Sequence, residues 1–385
     1  MKMKKYRLNY SDNTAAGGTP SKGSVIFIVL IFIISITTLV LISTLRVSSE
    51  ADFIEDEFSR LKAYTLCISG VEFLKNRLST GTRNNVEFLK DMMNPHFPRL
   101  FLDGSDIPFH FLDIIKGKYS KRLRFDNPES MGFILNLQDS AGLINVFNID
   151  RVLFKNLLEY YHIPTEKTDI ILDSLYDWMD TDSFTRPHGA ESQYYLGQSG
   201  YPAANRLIES RDELLLIRGI DKYTFTKIGK LLDCNIKNRG VNPNTMPAEV
   251  FHLFRGLREE NIQRIIQKRR EKPFDGANGL TLVSGYNFSA YPTAFQFFTS
   301  NTTYVKIKAR MNEHENRFFY ITFRLDRIGG GGSMRRGSPR TAPVSGKRRS
   351  LDEDFNSFYH IYYWQEGTEY ETGEEIDTNI GYENE

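Results

Sequence analysis

The sequence predicts an α+β fold: a long N-terminal helix, an antiparallel sheet, and a large all-helical domain inserted between the strands. Three observations carry it. Residues 25–45 form a run of about 20 apolar, uncharged residues, long enough to cross a bilayer as one helix. Strand-like alternation occurs in two separated stretches, Gly132 to Leu137 and again from Tyr304 onward. Between them, from Ile149 to about Arg270, helical patterns dominate. β-type sequence on both sides of a helical block is most simply a helical domain set into a β-containing one.

The N-terminal run follows a leader carrying Lys2, Lys4, Lys5, Arg7 and Lys22 against one acid, Asp12. The positive-inside rule puts that leader in the cytoplasm and the rest of the chain across the membrane. The run is too long for a secretory signal core, and no Ala-x-Ala site follows it. Beyond it the pattern turns amphipathic. Ile54, Phe58, Leu61, Ile68, Val71, Leu74 and Leu78 recur at steps that mark one helix face. That face is expected to pack on its own domain, with its upper part free to join a bundle of like helices.

Residues 81–128 read as loop with short elements. A strand over Gly132 to Leu137 leads into Gln138-Asp139-Ser140-Ala141-Gly142-Leu143-Ile144-Asn145. Later strands are expected at Tyr304 to Arg310, Phe318 to Leu325 and Phe358 to Trp364. Residues 329–350 interrupt them with Gly329 to Ser333 and then Arg335, Arg336, Arg340, Lys347, Arg348 and Arg349, a flexible basic loop. The tail after Gln365 carries eight acids and no base; it is expected to be disordered and solvated. The two cysteines, Cys67 and Cys234, are too few for a disulfide framework and are expected as unpaired thiols. No Cys/His cluster points to zinc. No phosphate-binding glycine loop or nucleophilic triad points to an enzyme, and His188 reads as a loop residue.

Two segments look like helix–hairpin–helix units. The first runs from Glu213 through Gly219 to Ile228. The second runs from Pro247 through Gly256 to Arg269. An apolar–Gly–apolar turn lets two short helices meet, because Gly tolerates positive φ. Such hairpins contact phosphates in many DNA-binding proteins. Fifteen basic against nine acidic residues between Arg206 and Lys272 favour that reading, while the interleaving of the charges favours a packing module. A second constellation is acidic. Asp173, Asp177 and Asp180 share a helix face, Asp180 and Asp182 converge at its end, and Glu191 can return from the loop. Oxygen-only ligation on a turn suits Ca²⁺, although the spacing is not an EF-hand. The alternative is a solvated acidic helix end paired with Arg186.

The basic leader ending at Gly23, the membrane helix and the helical spine resemble type IV prepilin-like proteins, in which a peptidase cuts after the Gly. Cleavage between Gly23 and Ser24 would leave 362 residues, with 44 basic against 47 acidic side chains. A net charge of −3 nominates no polyanionic partner. The motifs resemble one family, the minor pseudopilin K of type II secretion. They are Asp139 to Asn145, Asp177-Trp178-Met179-Asp180-Thr181-Asp182, Arg186 to Glu191 with Tyr194-Tyr195, Ala204-Asn205-Arg206, Glu213 to Gly219, and Val241 to Thr245 with Ala248-Glu249-Val250. The fifth position from Ser24 is Ile28, where most pilin-like proteins carry Glu and the K type does not.

The resemblance implies a pilin-like fold containing the inserted helical domain with its two hairpin units. The parts would be a cleaved leader (1–23), a transmembrane helix (24–45), a first pilin-like part (46–144), the helical insert (145–272), a second pilin-like part (273–365) and the acidic tail (366–385). It implies a non-enzymatic subunit at the tip of the secretion pseudopilus, in the inner membrane with its bulk in the periplasm. It implies structural Ca²⁺ held by Asp180, Asp182 and Glu191, with Asp177. The implied partners are minor pseudopilins I and J, then H, the major pseudopilin and the prepilin peptidase, and not nucleic acid. A DNA-binding competence-type pseudopilin is the competing reading. The 329–350 loop and the acidic tail depart from the family pattern.

Overall fold

The computed structural model describes residues 22–80, 100–110, 132–164, 166–234, 238–311, 317–327 and 359–370. The chain forms two compact units, residues 1–59 and 60–385. Helix α1, Lys22–Thr80, runs through both. In the first unit its apolar residues from Val25 to Leu45 are exposed. Among the described residues this is the one helix long and apolar enough to cross a membrane. Ser35 donates to the Ile31 carbonyl (2.8 Å) and Thr44 to the Val40 carbonyl (2.8 Å), which answers these hydroxyls within the helix, as a bilayer would require. Gly23 and Ser24 lie in its first turn.

The second unit contains an antiparallel sheet of β1 (Asp103–His110), β2 (Gly132–Asp139), β5 (Thr302–Arg310), β6 (Arg317–Arg327) and β7 (Tyr359–Tyr370), in that order. Period-2 alternation sends Leu135, Leu137, Val305, Ile307, Ile321 and Phe323 to one face. There they meet Ala63, Leu66, Cys67, Val71, Leu74 and Leu78 of α1 in one cluster. The helix face predicted from sequence packs here from Ile68 to Leu78, and above it that face is open, as expected of its upper part. Ile54, Phe58 and Leu61 are exposed, and Ala63, Leu66 and Cys67 add contacts that the periodicity did not single out. Truncating a side chain such as Leu74 to Ala at this contact costs about 2–5 kcal/mol.

Two strand expectations change. Residues 81–128, read as loop, contain β1, which pairs with β2 through a bulge between Asp103 and Asp106. Strand β7 runs to Tyr370 and pairs with β6 throughout, so residues 366–370 are strand rather than tail. Gly367 makes this possible: the Tyr320 ring lies across it, and a Cβ there would meet the Tyr320 hydroxyl at 2.6 Å. The leader through residue 21, the 329–350 loop and the tail beyond 370 lie outside the described residues.

Between β2 and β5 sits the helical body. It comprises β3 (Ile144–Asn145), α2 (Arg151–Tyr160), α3 (Glu166–Met179), α4 (Ser192–Gln198), α5 (Lys222–Ile228), β4 (Leu232–Asp233), α6 (Glu259–Glu271) and α7 (Ala277–Ser284). β3 and β4 pair in parallel. Phe154, Trp178, Tyr195, Phe251, Phe254 and Phe288 fill its separate core. Because Leu280 and Phe288 belong to that core, the body continues to about residue 300, past the expected boundary at 272. Asp150 and Asp221 cap α2 and α5, accepting from the amides of Leu153 (2.9 Å) and Thr224 (2.8 Å).

The two hairpin segments each have a positive-φ glycine at the turn, Gly219 (φ 91) and Gly256 (φ 84), a conformation that costs Gly nothing. Their leading arms are 3₁₀ turns, Asp212–Leu216 and Ala248–Leu253, rather than α-helices. Some of their basic residues are committed within the protein. Arg218 donates to the Gly189 carbonyl, Lys268 pairs with Glu271, and Arg269 is buried.

The body is locked to the sheet by buried polar groups. Asp103, at the β1 bulge, receives Arg269 Nη2 of α6 at 2.7 Å and Arg270 Nη2 at 3.4 Å. Arg269 Nη1 also donates to the carbonyls of Pro243 (2.9 Å) and Met246 (2.6 Å). Burial alone would raise the Asp103 carboxyl, but Arg269, aided by Ser105 and Arg270, holds it below the usual carboxylate value. Nearby, Asp139 accepts from Ser300 Oγ (2.7 Å) and Thr245 Oγ1 (3.2 Å), and Ser140 Oγ donates to Asp233 (2.6 Å). Asn242 N donates to the Ala141 carbonyl (2.6 Å). The Asp139–Asn145 and Val241–Thr245 motifs thus interlock here.

Candidate functional site

The acidic corner is built at the C-terminal end of α3. Three-residue spacing puts Asp177 and Asp180 on one side of the helix, and the chain returns through 181–190 to present Glu191 at the start of α4. One carboxylate oxygen from each of Asp177, Asp180 and Glu191 lies within 4.8 Å of the others. Asp177 is fully buried and Glu191 is 5% exposed.

The return loop is fastened by its own backbone and one arginine. Arg186 N donates to Asp177 Oδ2 (3.1 Å), and Arg186 Nη1 donates to Asp177 Oδ1 and Asp180 Oδ2, both at 2.6 Å. Gly189 passes so close that a Cβ there would sit 1.9 Å from Asp177 Oδ2. Arg218 Nη1 donates to the Gly189 carbonyl (2.8 Å), and Tyr195 OH accepts from Arg218 N (3.2 Å). On the far side, Trp178 Nε1 donates to Glu213 (3.0 Å), and Asn205, in left-handed backbone (φ 48), donates its amide to the Trp178 carbonyl (2.9 Å). The spaced motifs of the sequence therefore meet around one corner.

The carboxylates are not fully answered. Neither oxygen of Glu191 accepts a well-formed hydrogen bond from the protein, the Ser192 amide being close enough only to lower its carboxyl a little, and Asp180 Oδ1 is likewise unpartnered. Buried acceptors left this way are costly. The consequence shows in Glu191, whose carboxyl is raised above the usual value by burial first and then by Asp177 and Asp180. Three carboxylates against the Arg186 cation leave a charge of −2 when all are ionised. Hard oxygen donors with that residual charge fit a divalent cation such as Ca²⁺.

The other expected residues fall differently. Asp182 is exposed, outside the cluster, and its Oδ1 accepts from Phe184 N (2.8 Å). Asp173 is held by Arg151 Nη2 (2.7 Å) and His188 N (3.1 Å) and belongs to the packing of α2 on α3. Gly189 gave no signal of its role in sequence. Its need appears only once Asp177 is seen beneath it. Cys67 and Cys234 are both free thiols.

Residues 134–232 match the family model "Type II secretion system (T2SS), protein K". No curated protein matches the chain. Among solved structures, the chain is similar to one in "The Crystal Structure of the GspK-GspI-GspJ complex from enterotoxigenic Escherichia coli Type 2 Secretion System". The identity is 14% over 84% of this chain and 99% of that one, with a TM-score of 0.46. The matched segment holds the Asp139–Asn145 motif, the acidic corner and the first hairpin, so over residues 134–232 the chain is similar to the type II secretion protein K family.

Proposed function

We propose that the protein is the tip subunit of the secretion pseudopilus, non-enzymatic, initiating or capping the filament that drives secretion. The observation that carries this is the family match over residues 134–232. Two features of the chain support the tip position. Ile28 stands where a neutralising Glu would otherwise be needed, and a charge in the bilayer without a partner is expensive. The body inserted between β2 and β5 adds bulk that a subunit stacked above would have to avoid.

In this reading the prepilin peptidase cuts between Gly23 and Ser24, and α1 stays in the inner membrane. The leader's basic residues keep the N-terminus cytoplasmic, and the bulk of the chain is periplasmic. The partners are minor pseudopilins I and J, then H and the major pseudopilin. A structural Ca²⁺ occupies the acidic corner, where the unpartnered oxygens of Asp180 and Glu191 call for one.

The test is intact mass and N-terminal sequencing of the protein from its native membrane, followed by co-purification with I and J. A start at Ser24 and a stable complex are expected. An intact leader together with no association would remove the tip role.

A further inference from the structure

The cation reading of the acidic corner assigns its four charged residues no individual roles, and the hydrogen bonds separate them. Asp177 has both oxygens engaged by the protein, Oδ1 by Arg186 Nη1 and Oδ2 by Arg186 N. Asp180 gives Oδ2 to Arg186 Nη1 and keeps Oδ1 buried and free. Glu191 keeps both oxygens buried and free. The side chain of Glu191, 5% exposed, is the unanswered group that calls for a ligand. The Arg186 guanidinium is placed by the loop backbone through Arg186 N, by the two aspartates, and by the Tyr176 ring 5.5 Å from its Cζ.

We propose that Arg186 is a permanent counter-ion within the site rather than a competitor for it. Asp180 and Glu191 are the ligating residues, and the Arg186–Asp177 pair holds the site charge at −2 and so matches it to a divalent ion. This rests on the cation reading given above. Coulomb attraction scales with the product of the charges. Removing the guanidinium charge should therefore tighten every cation, and tighten a trivalent ion more than a divalent one. A purely structural role for Arg186 predicts the opposite sign, because a loosened loop weakens ligation.

The test is titration of the full chain in detergent with Ca²⁺ and with Tb³⁺, read by sensitised terbium luminescence and Ca²⁺ competition. Arg186→Gln should bind Ca²⁺ more tightly than the unsubstituted chain, and its Tb³⁺ to Ca²⁺ affinity ratio should rise about tenfold. Asp177→Asn should shift that ratio about tenfold the other way while still binding both ions. Glu191→Gln should lose both. Weaker Ca²⁺ binding by Arg186→Gln, or an unchanged ratio, overturns the assignment, as does complete loss of binding in Asp177→Asn, which would make Asp177 a ligand. If only one of these two variants folds, by circular dichroism, that variant decides. If neither folds, the pair is a packing requirement and the assignment falls. No binding by the unsubstituted chain instead removes the calcium reading itself, and leaves the family match untouched.

Discussion

The seam at Asp103 and the corner at Asp177–Glu191 both bury carboxylates beside arginine, yet they end in different electrostatic states. At the seam one carboxylate meets two guanidinium groups and the Ser105 hydroxyl, so both its oxygens are answered, and Arg269 spends Nη1 on two carbonyls while its Nε stays unpartnered. At the corner two of three carboxylates share one guanidinium, and three oxygens find no donor. A carboxylate with every oxygen answered is a joint. An open one is a place for something else to bind. Counting unanswered oxygens, rather than counting acids, tells them apart.

Breaking the joint should have the largest effect. Arg269→Met breaks the buried pair and leaves Asp103 only the more distant Arg270 as counter-ion, which costs about 3–5 kcal/mol. Denaturant unfolding of the full chain in detergent would read it. A loss below about 1 kcal/mol, the scale of an exposed pair, would show that water reaches the seam.

Crowding the corner comes next. Gly189→Ala drives a methyl group onto Asp177 Oδ2; the loop must move, at a cost of about 1–3 kcal/mol. Calcium-dependent stabilisation should fall in parallel. A variant that melts with the parent, with and without calcium, would show that the loop yields freely.

Ligand linkage sharpens the comparison further. At a hundredfold excess over its dissociation constant, Ca²⁺ should stabilise the chain by about 2.7 kcal/mol. Glu191→Gln should abolish that gain, whereas Asp103→Asn should keep it. Equal responses in the two variants would erase the distinction between joint and site.

The smallest effect is in pH, and here the two regions have opposite signs. Asp103 titrates below its ordinary 3.8 in the folded chain. Its contribution is complete above that value and is lost as pH falls through the lower folded one. Glu191 titrates above its ordinary 4.5. Ionising it in the metal-free chain costs stability, and the cost is relieved as pH falls through the raised value. Acidifying metal-free protein should first stabilise it through Glu191 and then destabilise it through Asp103. A Glu191→Gln variant should lack the first phase only, as followed by denaturation midpoints across the acid range.

What sequence could show follows the range of the interaction. Strands β5 and β6 were legible because Val305, Ile307, Ile321 and Phe323 alternate locally, and the membrane helix because composition alone defines it. The acidic corner was half legible. Asp177 and Asp180 are one helical turn apart, and Glu191 follows closely enough to be suspected. Asp182, equally near in sequence, points away into a local turn with Phe184. The seam was invisible, because Asp103 and Arg269 stand 166 residues apart and neither lies in a pattern. Strand β1 was missed for a related reason. Its Gly104 and its bulge break the alternation that would have revealed it.

The position of the helical body has a consequence for the order of assembly. Strands β2 and β5 are antiparallel neighbours, the relation usually joined by a tight turn, yet residues 140–302 lie between Asp139 and its partner Thr303. Closing a flexible loop of that length rather than a hairpin of a few residues costs about 3 kcal/mol more in chain entropy. Once the body has folded, its two ends are held together by Asp139 and Ser300, and most of that cost is gone. The body then acts as the turn of the sheet. Folding should therefore begin in the insert and finish in the sheet, and damage to the insert should part the sheet in its middle, between β2 and β5, rather than fray it at an edge.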